Sequence, residues 1–309
     1  MTPSAGPCLS CHLPLPGHFR QADFLAFHAR DPHRLAERVG PDSLDKGVMW
    51  KGRPARLTLR FSAGSVALQL WLDDLPDTTA PELHDWARRF LGLDQPVAAF
   101  EAAWRDHPQL GPLIVASPGL RIPQAATPFE ALIWAVTGQQ ISLAAAITLR
   151  KRLIEACGCI RGDLACFPDA STVIGLPATR LADAGFSRRK AETLAHIAAR
   201  VLDGGLPLDH WWASRTPAEA VREALLAIPG VGPWTADYTL LRGFGHTDAA
   251  LHGDVAVRRG LQTLLGRAEK PTVADTADWL HPFSPGAPSW PPICGTCDGR
   301  LRWPTEVAD

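Results

Sequence analysis

The stretch AIPGVGPWTADYTLLRGFGHTDAALHGDVAVRRGL occupies Ala227–Leu261, and its reading decides the fold. Pro229-Gly230-Val231-Gly232 is too short and too rich in glycine for anything but a tight turn between two apolar segments of helical period. Glycine permits positive φ and lets another backbone approach closely. Pro233 suits the first position of the helix that follows. The turn and that helix start present N–H groups without intrahelical partners, and a phosphate is their natural guest. An ordinary helix–helix corner explains the local sequence equally well. Further on, Asp254 heads another apolar-periodic run, where aspartate is a favoured cap.

The whole chain sets bounds on these readings. At 309 residues about two domains are expected, and 46% hydrophobic with 20% charged residues describe an ordinary soluble globular protein. No run approaches the roughly 18 apolar residues of a membrane span. The start, MTPSAGPCLSCH, has neither the basic beginning nor the apolar stretch of a signal peptide, so a cytoplasmic protein without a membrane partner is expected. A net charge of −1 does not announce a nucleic-acid binder. A local patch would have to come from Arg188, Arg189, Lys190, Arg258 and Arg259, residues whose plain reading is a solvated helix face. Seven cysteines argue against a complete disulfide framework. The pairs Cys8/Cys11 and Cys294/Cys297 have zinc-like spacing but lie at opposite ends. Cys157, Cys159 and Cys166 lack the spacing of an iron–sulfur site, so no metal–cysteine centre is expected.

The fold class read from these patterns is α+β. Leu57, Leu59 and Phe61, then Val66, Leu68, Leu70 and Leu72, alternate about Ser62-Ala63-Gly64-Ser65, which predicts an antiparallel hairpin with one buried face. Helices are predicted at Asp23 to Arg30, Pro81 to Leu91 and Val97 to Trp104. The Pro- and Gly-rich LGPLIVASPGLRIPQAATP, 110–128, reads as the domain boundary. After it the pattern is helical: Thr127-Pro128-Phe129-Glu130 forms a helix start with Glu130 placed to bond back to the cap. Two striped segments follow, broken near Gly138, then helices at Ser187–Leu202, Pro217–Ala227, Pro233–Leu241 and Asp254–Leu264. The division predicted is an extension over 1–19, a mixed α/β domain with a small antiparallel sheet over 20–120, an all-α domain over 121–283 and an atypical tail over 284–309.

Taken together, LLAIPGVGPWTADYTLL, HGDVAVRR, FEALIWAVTGQQIS and SRRKAETLAHIA resemble, in order and spacing, segments of the helix–hairpin–helix DNA glycosylase superfamily. With the mixed N-terminal domain, the chain is most similar to the bacterial 3-methyladenine DNA glycosylase II type, over roughly residues 20–282. The resemblance implies a hairpin that holds DNA through Gly230, Val231, Gly232 and Thr235. It implies a monovalent cation, sodium or potassium, on the carbonyls of Leu226, Ile228 and Gly230, with no other cofactor required. A grip made of amides needs few lysines, which answers the charge objection. Asp254 matches the catalytic aspartate, whose carboxylate stabilises the positive charge that develops on deoxyribose as a base departs. Asp237 and Asp248 do not match that position. Trp234 stands where strand-cleaving relatives carry a Schiff-base lysine, so base removal alone is expected.

The implied base pocket is Trp234, Tyr238 and Phe27, aromatic faces that attract a cationic alkylpurine; plain core filling is the other reading of each. Gln140 matches the side chain that fills the space left by a flipped base, where an apolar wedge is the family pattern. The expected partner is double-stranded DNA containing alkylated bases, met as a monomer in a bacterial cytoplasm, at the nucleoid. Two alternatives stay open: a catalytically weak binder of damaged DNA, and a glycosylase for another lesion.

The resemblance stops after Ser284-Pro285. There the family continues with Trp-Arg and a helix carrying a base-stacking tryptophan, while this chain reads GAPSWPPICGTCDGR. One T restored after the codon for Pro285 converts GC-rich codons for that stretch into WRALVAAHLWHLRRP, an amphipathic helix with the family's start. We read the tail as frameshifted, by nature or by sequencing. As written, it removes one wall of the pocket and impairs activity.

Overall fold

The computed structural model describes residues 6–74, 78–249 and 251–283. The tail reading, Cys294 and Cys297 lie outside them. Five strands form one antiparallel sheet in the order β1-β5-β4-β3-β2: β1 Cys8–Pro14, β2 Glu37–Gly40, β3 Ser43–Trp50, β4 Arg53–Ser62 and β5 Ser65–Trp71. The predicted hairpin is β4–β5, paired from Arg56↔Trp71 to Ser62↔Ser65. Its inner residues Leu57, Leu59, Leu68 and Leu70 are fully buried. The helices Gln21–His28 and Ala80–Phe90 fill the same core through Phe24, Leu25, Leu83, Trp86 and Phe90.

Three expectations need correction. Residues 8–14 are not an extension: Cys8 to Pro14 pair with Trp71 to Ser65 as an edge strand. Residues three apart on a strand point to opposite faces, so Cys8 and Cys11 do not form a metal-binding pair. The presumed linker contains the helix Leu110–Ala116, with Leu110 and Ile114 buried in the core of the helical domain. Its proline sits in the first helical turn, where the missing N–H costs nothing. Lastly, β2 and β3 escape a period-two reading because β3 carries Asp45, Lys46 and Gly47 through its middle.

Two of those residues, Lys46 and Gly47, join the two domains. A Cβ at Gly47 would lie 2.0 Å from the carbonyl oxygen of Ala165, so only glycine lets β3 meet the short Ile160–Arg161/Leu164–Ala165 ribbon. Gly47 accepts from the Phe167 N–H at 3.1 Å. Lys46 is wholly buried, its Nζ 2.5 Å from Glu37 and 2.8 Å from Glu130. Arg150 reaches the same carboxylates at 3.4 and 3.2 Å. Glu130 therefore departs from the expected capping box. Its backbone N–H bonds to Thr127, but its carboxylate takes the Ala126 N–H and the Lys46 ammonium.

Burial pushes Glu37 up, yet Lys46 and Arg150 outweigh it and hold the carboxyl well below its usual range. His28, buried and 3.0 Å from Glu37, is held down by burial and stays neutral. Unfolding returns His28 to its ordinary 6.5, so below that pH the unfolded chain takes up a proton that the fold resists. Stability is therefore expected to fall as pH drops below 6.5, before the acids titrate below 4.5. His28→Gln should flatten the first of these phases in thermal midpoints measured from pH 7.5 to 5. An unchanged profile would contradict this assignment.

Over the described residues from Pro128 to Phe283 the chain is mainly helical, apart from that ribbon. The helix Pro128–Gly138 is buried along almost its whole length and touches the helices Leu143–Cys157, Arg188–Leu202 and Pro233–Thr239. Ser142 caps the first of these three and Ser187 the second, and Gly158 ends the first in the left-handed region at φ 69°. The predicted Pro233–Leu241 helix runs to Thr239 and then widens into a π-turn, Leu240–Phe244. No described helix is long and apolar enough to cross a membrane.

Candidate active site

The hairpin lies between the helices Ala218–Leu226 and Pro233–Thr239. Val231 N–H closes the turn on Ile228 O at 3.0 Å, and Gly230 stands at φ 91°. A Cβ on Gly230 would fall 2.2 Å from Thr193 Oγ1, whereas Gly232 has open space around it. Ala236 N–H to Gly232 O, 3.0 Å, is the first bond of the second helix, so the Trp234 and Thr235 N–H groups precede its ladder. Arg222 fastens the two helices through Asp237, Nε to Oδ1 at 2.6 Å; Asp237 is buried in this structural bond. Gly230→Ala should cost about 1–3 kcal/mol through strain and contact. Gly232→Ala should cost far less, and urea unfolding of the pair checks the contrast.

Gln139 ties the hairpin to the break after Gly138. Its Nε2 donates to Gly230 O and to Thr235 Oγ1, both at 2.9 Å. Thr235 is 2% exposed and Val231 6%, so these two face the core and offer solvent only backbone. The next residue, Gln140, is exposed and held at φ 57°, a strained position for a side-chain-bearing residue. Beside it Ile141 is 39% exposed and Leu143 43%. The apolar character missing from Gln140 is thus supplied by its neighbours, which the sequence signalled only as ordinary helix-stripe residues.

Two hollows flank this turn. One of about 620 Å³ is lined by Gly138, Gln140, Leu143, Trp234, Asp254 and Arg259 among others. The second, about 540 Å³, runs along the hairpin past Gln140, Arg189, Lys190, Gly230, Gly232 and Trp234. Asp254 caps the helix Val255–Leu264: Oδ1 accepts from Ala256 N–H at 2.7 Å and Val257 N–H at 3.3 Å. Its Oδ2 accepts from Trp234 Nε1 at 2.9 Å. Capping and a role in the pocket are therefore not exclusive. The cap fixes the carboxylate's direction, and Oδ2 with a single donor keeps a lone pair for the hollow.

Of the aromatic residues, Trp234 lines the pocket; Tyr238 lines neither hollow and packs against Trp234 with ring centroids 5.2 Å apart and planes tilted by 32°. Phe27 joins neither hollow. It is 7% exposed, with the Arg30 guanidinium 3.7 Å above its ring and Arg242 4.9 Å away. The face expected to receive a base is covered by cations of the chain itself. As for the three carbonyls, Ile228 O already accepts from Val231 N–H and Gly230 O from Gln139. Each of these two oxygens keeps a second lone pair.

A five-stranded sheet domain joined to a helical domain whose hairpin stands beside a half-buried aspartate defines the helix–hairpin–helix class of fold. Residues 133–283 match the family model described as HhH-GPD superfamily base excision DNA repair protein, and residues 10–127 match the AlkA N-terminal domain. The chain belongs to this superfamily of base excision DNA repair proteins. It is 33% identical over 153 residues to DNA-3-methyladenine glycosylase 2 of Escherichia coli, covering 48% of this chain and 53% of that one. It is 31% identical over 194 residues to DNA-3-methyladenine glycosylase of Bacillus subtilis, covering 62% of each. The chain thus spans less than two thirds of these relatives' length. In fold it is similar to a 3-methyladenine DNA-glycosylase from Archaeoglobus fulgidus, with TM-score 0.74, 19% identity and coverage of 88% of this chain and 92% of that one.

Proposed function

We propose that this protein is a monofunctional DNA glycosylase that removes alkylated purines, of the 3-methyladenine and 7-methylguanine type, in base excision repair. It meets double-stranded DNA as a monomer in the bacterial cytoplasm. The observation that carries the reading is Asp254, held by two backbone amides and the Trp234 indole at the edge of a hollow that adjoins the hairpin. The hairpin amides would hold a phosphate, and the carbonyls of Leu226, Ile228 and Gly230 would hold a monovalent cation. Gln140 and Ile141 fill the gap in the stack while the nucleotide turns into the hollow against Trp234.

The bond between C1′ and the base nitrogen then breaks, and its electron pair leaves with the base. Asp254 stabilises the cationic sugar and orients a water. The water adds to C1′ and gives up its proton to solvent, leaving a free base and an abasic site. An alkylated purine is already positively charged and departs as a neutral molecule.

No lysine stands at Trp234 to form an imine with the sugar, so the strand stays whole. Borohydride added during turnover should trap no protein–DNA adduct, and strands should break only after alkali. A trapped adduct would show a lyase instead.

A further inference from the structure

The hollow beside Asp254 and the groove along the hairpin share Gln139, Gln140 and Trp234, so they lie on either side of one ridge. Arg189 and Lys190 line the groove, Arg259 lines the hollow, and Asp254 is the one acidic residue lining either. This face is locally positive although the chain carries −1 overall.

The five basic residues of the two motifs have different employment. Arg188 pairs with Glu192 at 2.8 Å, Lys190 donates to Thr137 O at 2.7 Å, and Arg258 donates to Pro271 O at 2.7 Å. For the exposed guanidinium groups of Arg189 and Arg259, no ion pair or side-chain hydrogen bond is found among the described residues; Arg189 lies in the hairpin groove, and the one in the hollow beside Asp254 is Arg259. It stands one helical turn beyond Val255, itself 48% exposed, on the same stripe of the Val255–Leu264 helix. The hollow is also lined by Leu143 and Ser142, and its one carboxylate, Asp254, is taken up by two backbone amides and the Trp234 indole.

We propose that Arg259 grips a backbone phosphate of the damaged strand on the side of the flipped nucleotide away from the hairpin. The inference rests on the glycosylase reading and adds a second anchor to it. The hairpin holds one side of the nucleotide with neutral amides, and Arg259 holds the other with a charge-assisted, bidentate contact. Such a contact sets register on the duplex and carries no base information. Its mark is salt dependence, since each phosphate neutralised releases condensed counterions.

The test is binding of the full chain to a duplex with one tetrahydrofuran abasic-site analogue, followed by fluorescence anisotropy across a sodium chloride series. Arg259→Ala should make the slope of log affinity against log salt shallower by about 0.9, and Arg259→Lys should restore it. Half-saturation should rise in Arg259→Ala. Arg188→Ala, removing an exposed charge already paired to Glu192, should leave the slope alone. A wild-type slope in Arg259→Ala, or an equal loss in Arg188→Ala, would overturn the proposal. Failure of the wild-type chain to prefer the abasic duplex over undamaged DNA would instead sink the glycosylase reading beneath it, before any substitution is made.

Discussion

Asp254→Asn should lose base release by at least about a hundredfold while the protein remains folded and still binds an abasic duplex. The two effects separate because the residue does two jobs. Asparagine caps a helix as well as aspartate does, so its amide oxygen can still accept from the Ala256 N–H. Its Nδ2 cannot accept from Trp234 Nε1, and losing that bond should cost about 0.5–1.5 kcal/mol. What disappears is the negative charge beside the hollow, and only the transition state needs it. If Asp254 were merely a cap, Asp254→Asn would release bases at the wild-type rate. Alanine is the less informative variant, since it removes the cap and the charge together.

The second large effect lies far from the hairpin. Lys46→Met should destabilise the protein by about 3–5 kcal/mol. Methionine fills much of the lysine stem's volume but leaves Glu37 and Glu130 buried together, with Arg150 as their remaining strong cation. Lys46 and Glu37 belong to the sheet domain, whereas Glu130 and Arg150 belong to the helical one, so the loss falls on the junction between them. Adding Glu130→Gln to Lys46→Met removes one of the stranded charges and should recover a large part of the loss. Urea unfolding at neutral pH measures both. A cost below about 1 kcal/mol for Lys46→Met alone would mean that the cluster is less tightly coupled than its 2.5 and 2.8 Å contacts indicate.

Much of the helical domain was legible because its signals are local. Ser187 before Arg188–Leu202, Thr127 with Pro128, and the hairpin glycines each fix a boundary within a few residues. Asp254 was legible as a cap from its own neighbours, and as a site residue only through its match to the family. Several of the misses come from contacts made across long stretches of chain. Strand β3 hides behind Lys46, whose charge is satisfied by Glu130 more than eighty residues away. The Leu110–Ala116 helix looked like a linker because its proline and glycine sit in the first turn. Phe27 read as a pocket aromatic until Arg30 and Arg242 were found over its ring. Gln139 was passed over beside Gln140, since nothing in one sequence says that it reaches Gly230 and Thr235.

The central claim is tested most directly by incubating the chain with duplex DNA methylated on its purines and separating the small molecules released, with Asp254→Asn alongside. Free 3-methyladenine or 7-methylguanine from the wild-type chain, absent with the variant, is the predicted result. Release of neither base would contradict the account, and so would equal release by both proteins.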